Sequence, residues 1–197
     1  MSLVNHSTKE ITAKIVYYGP GRCGKTTNLQ YVFSRLPEGR RGKMVSLATE
    51  KDRTLFFDFL PLDVGPISGF QTRFQLYTVP GQVYYNATRR LVLQGADGVV
   101  FVADSQRSLW DENRESLDNL RENLSSWGMT LDDIPLIFQY NKRDLPDIAL
   151  PSELARLLEV GNHPAFEAMA IRGPGVLDTL RSIGLLVMQR LSGTEIR

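Results

Sequence analysis

"GPGRCGKT", residues 19–26, fits the pattern G-x-x-x-x-G-K-[ST], and its flanks decide how it is read. Before it, "ITAKIVYYG" alternates and is rich in β-branched and aromatic residues, which predicts a strand. After it, "KTTNLQYVFSRL" sets Leu29, Val32, Phe33 and Leu36 on one helical face before Pro37 stops the run. A glycine-rich turn from strand to helix is the setting in which this motif cradles phosphate. Gly19, Gly21 and Gly24 let the backbone wrap closely enough for N–H groups to face phosphate oxygens, and the helix N-terminus adds favourable potential. Cys23 and Thr27 complete the candidate contacts. Lys25 neutralises β- and γ-phosphate charge, and the Thr26 hydroxyl suits Mg²⁺. The plain alternative, a glycine-rich turn without a ligand, is disfavoured by this context. Cys23 reads as a small packing residue rather than a redox-sensitive thiol. Arg22 either reaches the phosphates or lies in solvent.

Outward from the cradle, strand-like and helix-like runs alternate, which favours α/β architecture. "KMVSLAT", "RTLFFDFLPL" and "GFQTRFQLYTV" read as strands, with a turn signalled in "DVGPISG" and an antiparallel hairpin across it. "VYYNATRRLVLQG" reads as a helix ending at Gly95, "GVVFVAD" as a buried strand, and "LWDENRESLDNLRENLSSWG" as a long amphipathic helix. "PLIFQY", "PSELARLLEV", "FEAMA" and "VLDTLRSIGLLVMQRL" continue as strand, helix, strand and helix, the last expected to dock its apolar stripe on the sheet.

With 197 residues, 42% hydrophobic and 23% charged, one good core is expected and two large domains are not. A net charge of +1 sets up no field toward nucleic acid, and the basic run "GRRGK" reads as a solvated loop. One cysteine excludes an internal disulfide framework. The N-terminal stretch lacks a secretory pattern, Ser2 stands where myristoylation needs glycine, and "SGTEIR" has no prenylation cysteine. A cytoplasmic location without direct membrane insertion is therefore expected. His6 and His163 lack companions at metal-ligand spacing and read as structural or surface residues.

A phosphate cradle alone does not separate GTP from ATP. "NKRD", residues 141–144, follows the strand "PLIFQY" and so projects where ligands of open α/β sheets bind. Asp144 can accept hydrogen bonds from the ring N–H and exocyclic amine of guanine, a pair adenine does not offer. Asn141 is expected to tie this loop to the cradle, and the stem of Lys142 to cover the base.

With "TVPGQ" at residues 78–82 between those two motifs, the chain resembles the Ras-like small GTPases over nearly its whole length. More narrowly, "KIVYYGPG", "GKTTNLQY", "DRTLFFDFLPL", "TRFQLYTVPGQVYYNA" and "GVVFVADS" are similar to the MglA family, bacterial GTPases that mark the leading pole in gliding and twitching motility. The resemblance implies a Ras-like P-loop GTPase fold over residues 1–197, a mainly parallel sheet of six or seven strands flanked by helices, with one antiparallel hairpin. It implies GTP or GDP with Mg²⁺ as ligands, Thr54 as the first-switch threonine, Gly81 in the second switch, Gln82 to orient the attacking water, and Arg53 as a catalytic arginine. Spacing alone would leave Arg53 a solvated loop charge. Thr78 stands where other Ras-like proteins keep an aspartate beside the metal, and this threonine is itself a feature of the MglA family. It can bond a metal-held water but supplies no charge, leaving Mg²⁺ dependent on Thr26, Thr54 and phosphate oxygens. Ala170 falls at the position whose backbone N–H meets guanine; Ile171 and Arg172 depart from the family's usual lysine.

The same resemblance implies partners: an MglB dimer of roadblock fold that stimulates hydrolysis, and polarity and motility effectors that recruit the GTP form to a cell pole. Leu55, Phe56, Phe57, Phe59, Tyr84 and Tyr85 make an aromatic-rich region flanking both switches, half of it expected in the core. A non-hydrolysing GTP-dependent scaffold and a P-loop ATP-dependent kinase are the competing readings. Gln82 and Arg53 argue against the first, Asp144 against the second.

Overall fold

The strand before the cradle, β2 (Glu10–Tyr18), is buried on alternate residues through its first half and on both faces from Ile15 onward. The change has a topological cause. Along one edge, Glu10 to Tyr17 pair in parallel with β5 (Phe70–Thr78), and along the other, Ile15 to Tyr18 pair in parallel with β6 (Gly98–Asp104). A strand with parallel neighbours on both edges and helices on both faces has no solvated side. In the computed structural model, which describes residues 3–5, 7–47, 57–67 and 69–194, β2 is thus the central strand.

Parallel pairing continues through β7 (Leu136–Asn141) to β8 (Ala165–Glu167), while β4 (Phe57–Ile67) and β3 (Val45–Leu47) extend the other side antiparallel. The sheet order is β3-β4-β5-β2-β6-β7-β8, with β1 (Leu3–Asn5) antiparallel to the first residues of β2. On one face, α1 (Lys25–Arg35) and α5 (Val176–Thr194) bury Leu29, Val32, Ile183 and Val187 against Ile15, Leu60 and Leu76. On the other, α2 (Asn86–Leu93), α3 (Trp110–Ser125) and α4 (Pro151–Leu157) bury Val92, Leu117, Leu120 and Leu154 against Val16, Phe101 and Phe138. Each such side chain contributes about 1.5–3 kcal/mol on leaving water, so both helical layers hold the sheet. The last helix docks as its stripe predicts.

Three elements differ from the sequence reading. Strand β1, an eighth, carries no sequence signal and exists because β6 leaves that stretch of β2 uncovered. Strand β4 runs through "DVGPI" where a turn was expected. A bulge between Asp63 and Gly65, with Gly65 at φ 91°, absorbs the glycine; among the described residues only Gly42 and Arg41 meet the outer side of β4 beyond the β3 pairing, at Pro61 and Leu62, so the strand tolerates Pro61 and Pro66. Strand β8 stops at Glu167, so Ala168 and Ala170 lie in the following loop. In the basic run, Arg41 is held rather than solvated: it donates to the Phe33 carbonyl and lies 4.1 Å from the centre of that ring.

The consequence for chemistry is positional. The loops after β2, β5, β6, β7 and β8 leave one end of the sheet, the carboxyl ends of its parallel strands.

Candidate functional site

The cradle is a tight loop in which Gly19 and Gly24 are required by contact. Gly24, at φ 103°, caps α1, and a Cβ there would lie 2.2 Å from Asn141 Nδ2; one on Gly19 would lie 2.2 Å from the Val102 carbonyl oxygen. Arg22, at φ 60°, points out and is exposed. Lys25 is buried and folds back on the loop, donating to the carbonyls of Pro20 at 2.6 Å and Gly19 at 3.0 Å, with Cys23 Sγ at 3.6 Å. Burial lowers the pKa of its ammonium, with the Arg89 cation acting in the same direction. Burial raises the pKa of the Cys23 thiol, which is fully enclosed, in keeping with a packing role.

Asn141 joins this loop to the next. Its Nδ2 donates to the Cys23 carbonyl at 2.8 Å, and its Oδ1 accepts from the Ala170 N–H at 2.9 Å. The link expected from the sequence is present, but the Ala170 N–H already has a partner, so a guanine contact there requires it to be shared or exchanged. Lys142, at φ 66°, sends its ammonium to Asp104 Oδ2 at 2.5 Å. Asp144 is half-buried, and its carboxylate has no hydrogen bond or ion pair among the described residues.

The third loop carries Thr78, Gly81 and Gln82. A Cβ on Gly81 would lie 2.3 Å from Gly21 Cα and 2.7 Å from Gly21 N, so this segment touches the cradle backbone to backbone. Gln82 is exposed beside it. Thr78, the threonine in the aspartate position, is buried against a carboxylate from the neighbouring strand. Its hydroxyl donates to Asp58 Oδ2 at 2.9 Å and accepts from the Asp58 N–H at 2.8 Å. The same Oδ2 accepts from Thr26 Oγ1 at 2.5 Å, while Ser46 Oγ donates to Oδ1 at 2.6 Å. Arg53 and Thr54, with Leu55 and Phe56, lie outside the described residues. Phe57 and Phe59 are half-buried on the Tyr77 ring, and Tyr84 is 87% exposed.

Three of these site residues escaped the sequence reading. Asp58 had a signal: it shares strand parity with the core-facing Leu60 and Leu62, and a carboxylate on an inward position needs partners. Asp104 ends the apolar run "GVVFVAD", the site end of a buried strand. Arg89 had none. It is fully buried, donates to Tyr18 Oη at 3.1 Å, Ser116 Oγ at 2.7 Å and the Gly81 carbonyl at 3.2 Å, and meets no carboxylate among the described residues.

As a donor set, Thr26, Thr78 and Asp58 offer hard oxygens, one of them charged. Mg²⁺ in phosphate sites takes one or two carboxylates plus phosphates and waters, so these residues fit that ion. They do so without a cage of three or more acids, His or Cys, which is absent among the described residues.

A phosphate-type loop after the central strand, a base-type loop tied to it by one asparagine, and a glycine turn touching the cradle belong to the Ras-like P-loop GTPase fold. The chain is 56% identical over 191 residues to the Mutual gliding-motility protein MglA of Myxococcus xanthus (strain DK1622), spanning 97% of this chain and 98% of that protein. It belongs to the MglA family of Ras-like small GTPases. No protein-family model matches it. No helix among the described residues is long and apolar enough to cross a membrane.

Proposed function

We propose that residues 1–197 form one GTPase domain that binds GTP or GDP with Mg²⁺, hydrolyses GTP, and acts as a switch in bacterial polarity and gliding motility. The observation that carries this reading is the Asn141 bridge from Cys23 to Ala170, which joins a phosphate cradle to a base loop whose Asp144 carboxylate is free of partners among the described residues. Gly19, Gly21, Cys23, Gly24 and Thr27 wrap the phosphates, and Lys25 leaves the carbonyls of Gly19 and Pro20 for phosphate oxygens. Asp144 reads guanine, beside Ala170 and under the stem of Lys142, which Asp104 holds.

Mg²⁺, when bound, offsets charge on the phosphate oxygens. Thr26 and Thr54 would hold it, with Thr78 behind them, and Asp58 supplies the negative charge that Thr78 lacks. Gln82 orients the attacking water and Arg53 stabilises charge on the transferring phosphoryl group. Gly81, pressed on Gly21, carries the state of the cradle into the second switch. Exposed Tyr84 suits contact with partners, which by family are a roadblock-fold MglB dimer and motility effectors at a cell pole.

The test is Asp144→Asn. The amide puts a donor where guanine has an amine and xanthine an oxygen, so preference should move from GTP toward XTP. Competition binding reads the ratio. An unchanged GTP/XTP preference refutes the base assignment.

A further inference from the structure

Beneath the site lies a second link, from the end of the cradle to β7, the strand that carries the base loop, made only of neutral side chains. Asn28 on α1, Gln139 on β7 and Thr179 on α5 are all fully buried. Asn28 and Gln139 exchange amide hydrogen bonds, Nδ2 to Oε1 at 2.9 Å and Nε2 to Oδ1 at 3.0 Å. Asn28 Nδ2 also donates to the Gly24 carbonyl at 2.9 Å, inside the cradle's last turn. Gln139 Nε2 also donates to Thr179 Oγ1 at 3.0 Å, and that hydroxyl donates to the Gly175 carbonyl at 2.7 Å, where the loop after β8 enters α5. Both N–H groups of each amide are therefore used, and each amide has one possible orientation, because its outer partner, a carbonyl or a hydroxyl that is itself donating, can only accept.

A buried polar chain this complete specifies one arrangement, whereas apolar side chains of similar volume permit small slides. We propose that Asn28, Gln139 and Thr179 are positioning residues that fix the base loop relative to the cradle and thereby slow nucleotide release. The proposal rests on the nucleotide reading above. A ligand that fills both loops gains from a preset spacing between them, while a ligand filling one loop gains nothing. Asn141 sets that spacing at the ligand's side, and the Asn28–Gln139–Thr179 chain sets it from below.

The experiment replaces both amides at once, Asn28→Leu with Gln139→Leu, so that neither is left with an orphaned partner. Release of a fluorescent GDP from the Mg²⁺-loaded protein is followed by chase, and competition by inorganic triphosphate, which fills the cradle alone, is measured alongside. The expected result is release faster by about tenfold, with triphosphate competition changed by less than about twofold. Parent-like release in the folded variant overturns the proposal. So does an equal loss of triphosphate affinity, which would make the network a support of the cradle only. Should the double variant not fold, Thr179→Val removes the outer links at nearly constant shape. A rise of about threefold then supports the proposal, and none overturns it. A parent that retains no guanine nucleotide would overturn the nucleotide reading and this proposal together, an outcome distinct from unchanged release in the variant.

Discussion

Replacing Asp58 with asparagine separates two roles this carboxylate can play, a clamp on three hydroxyls and a charge for the metal. Its oxygens accept hydrogen bonds from Thr26 at 2.5 Å, Thr78 at 2.9 Å and Ser46 at 2.6 Å, and the residue is 8% exposed. Charge-assisted bonds are worth about 1.5–3 kcal/mol each, but Thr26 and Ser46 are exposed and regain water, so the low end applies to them. Asparagine keeps the shape, keeps one acceptor oxygen for the two threonines, and offers Ser46 a donor in place of an acceptor. The cost to stability should therefore be about 1 kcal/mol or less. The metal responds differently. Two unit charges about 4 Å apart interact by about 4 kcal/mol at an effective dielectric constant of 20, and phosphate and water take up part of that change. An outer partner of a metal site is typically worth about 10–100-fold in metal affinity. The assay is release of a non-hydrolysable GTP analogue against free Mg²⁺. Asp58→Asn should raise the half-saturating Mg²⁺ by about 10–100-fold and leave release in chelator unchanged. Parent-like Mg²⁺ dependence, or equal acceleration with and without metal, would leave Asp58 a hydroxyl clamp only.

Gly81→Ala places a methyl 2.3 Å from Gly21 Cα, against backbone that cannot rotate away, so the Gly81 segment must lift from the cradle. GDP binding should hold within a few-fold while single-turnover hydrolysis falls by about 10²-fold, and parent-like hydrolysis would show that the contact is not made during turnover. Burial raises the Cys23 pKa above its ordinary value, so at about pH 8 the group is a neutral, enclosed thiol. Alkylation of native protein by a neutral reagent should be at least about 100-fold slower than in denaturant, and comparable rates would contradict the packing.

What the sequence discloses here is what is local. Gly24, Lys25 and Thr26 sit in one loop whose glycines and helix start announce themselves, and Asn141 to Asp144 follow directly from an apolar strand. Asp58 differs in kind: its partners come from the cradle, from β3 and from β5, and only the antiparallel register of Phe59 with Tyr77 brings it to Thr78. The same register sets a carboxylate beside Thr78, on the neighbouring strand rather than its own. Arg89 and Gln139 were unreadable for a related reason. A lone arginine in a helix, or a glutamine in a strand, becomes informative only when helices pack on both faces and leave it no water. The added strand β1 and the longer β4 likewise reflect pairing opportunity overriding local propensity.

Single-turnover hydrolysis of bound GTP, with and without a roadblock-fold MglB dimer, decides whether the chain is a guanine-nucleotide switch that hydrolyses GTP with its own Gln82 and Arg53. An arginine supplied to the phosphate is worth about 10³–10⁵ in rate, and one on a switch loop delivers that only when held there. Hydrolysis by the chain alone should be slow, the dimer should accelerate it strongly, and Arg53→Ala should lose most of that acceleration with GTP binding intact. Full acceleration of Arg53→Ala would mean that the charge arrives from elsewhere, and GTP bound but never hydrolysed under any partner would make the protein a scaffold instead.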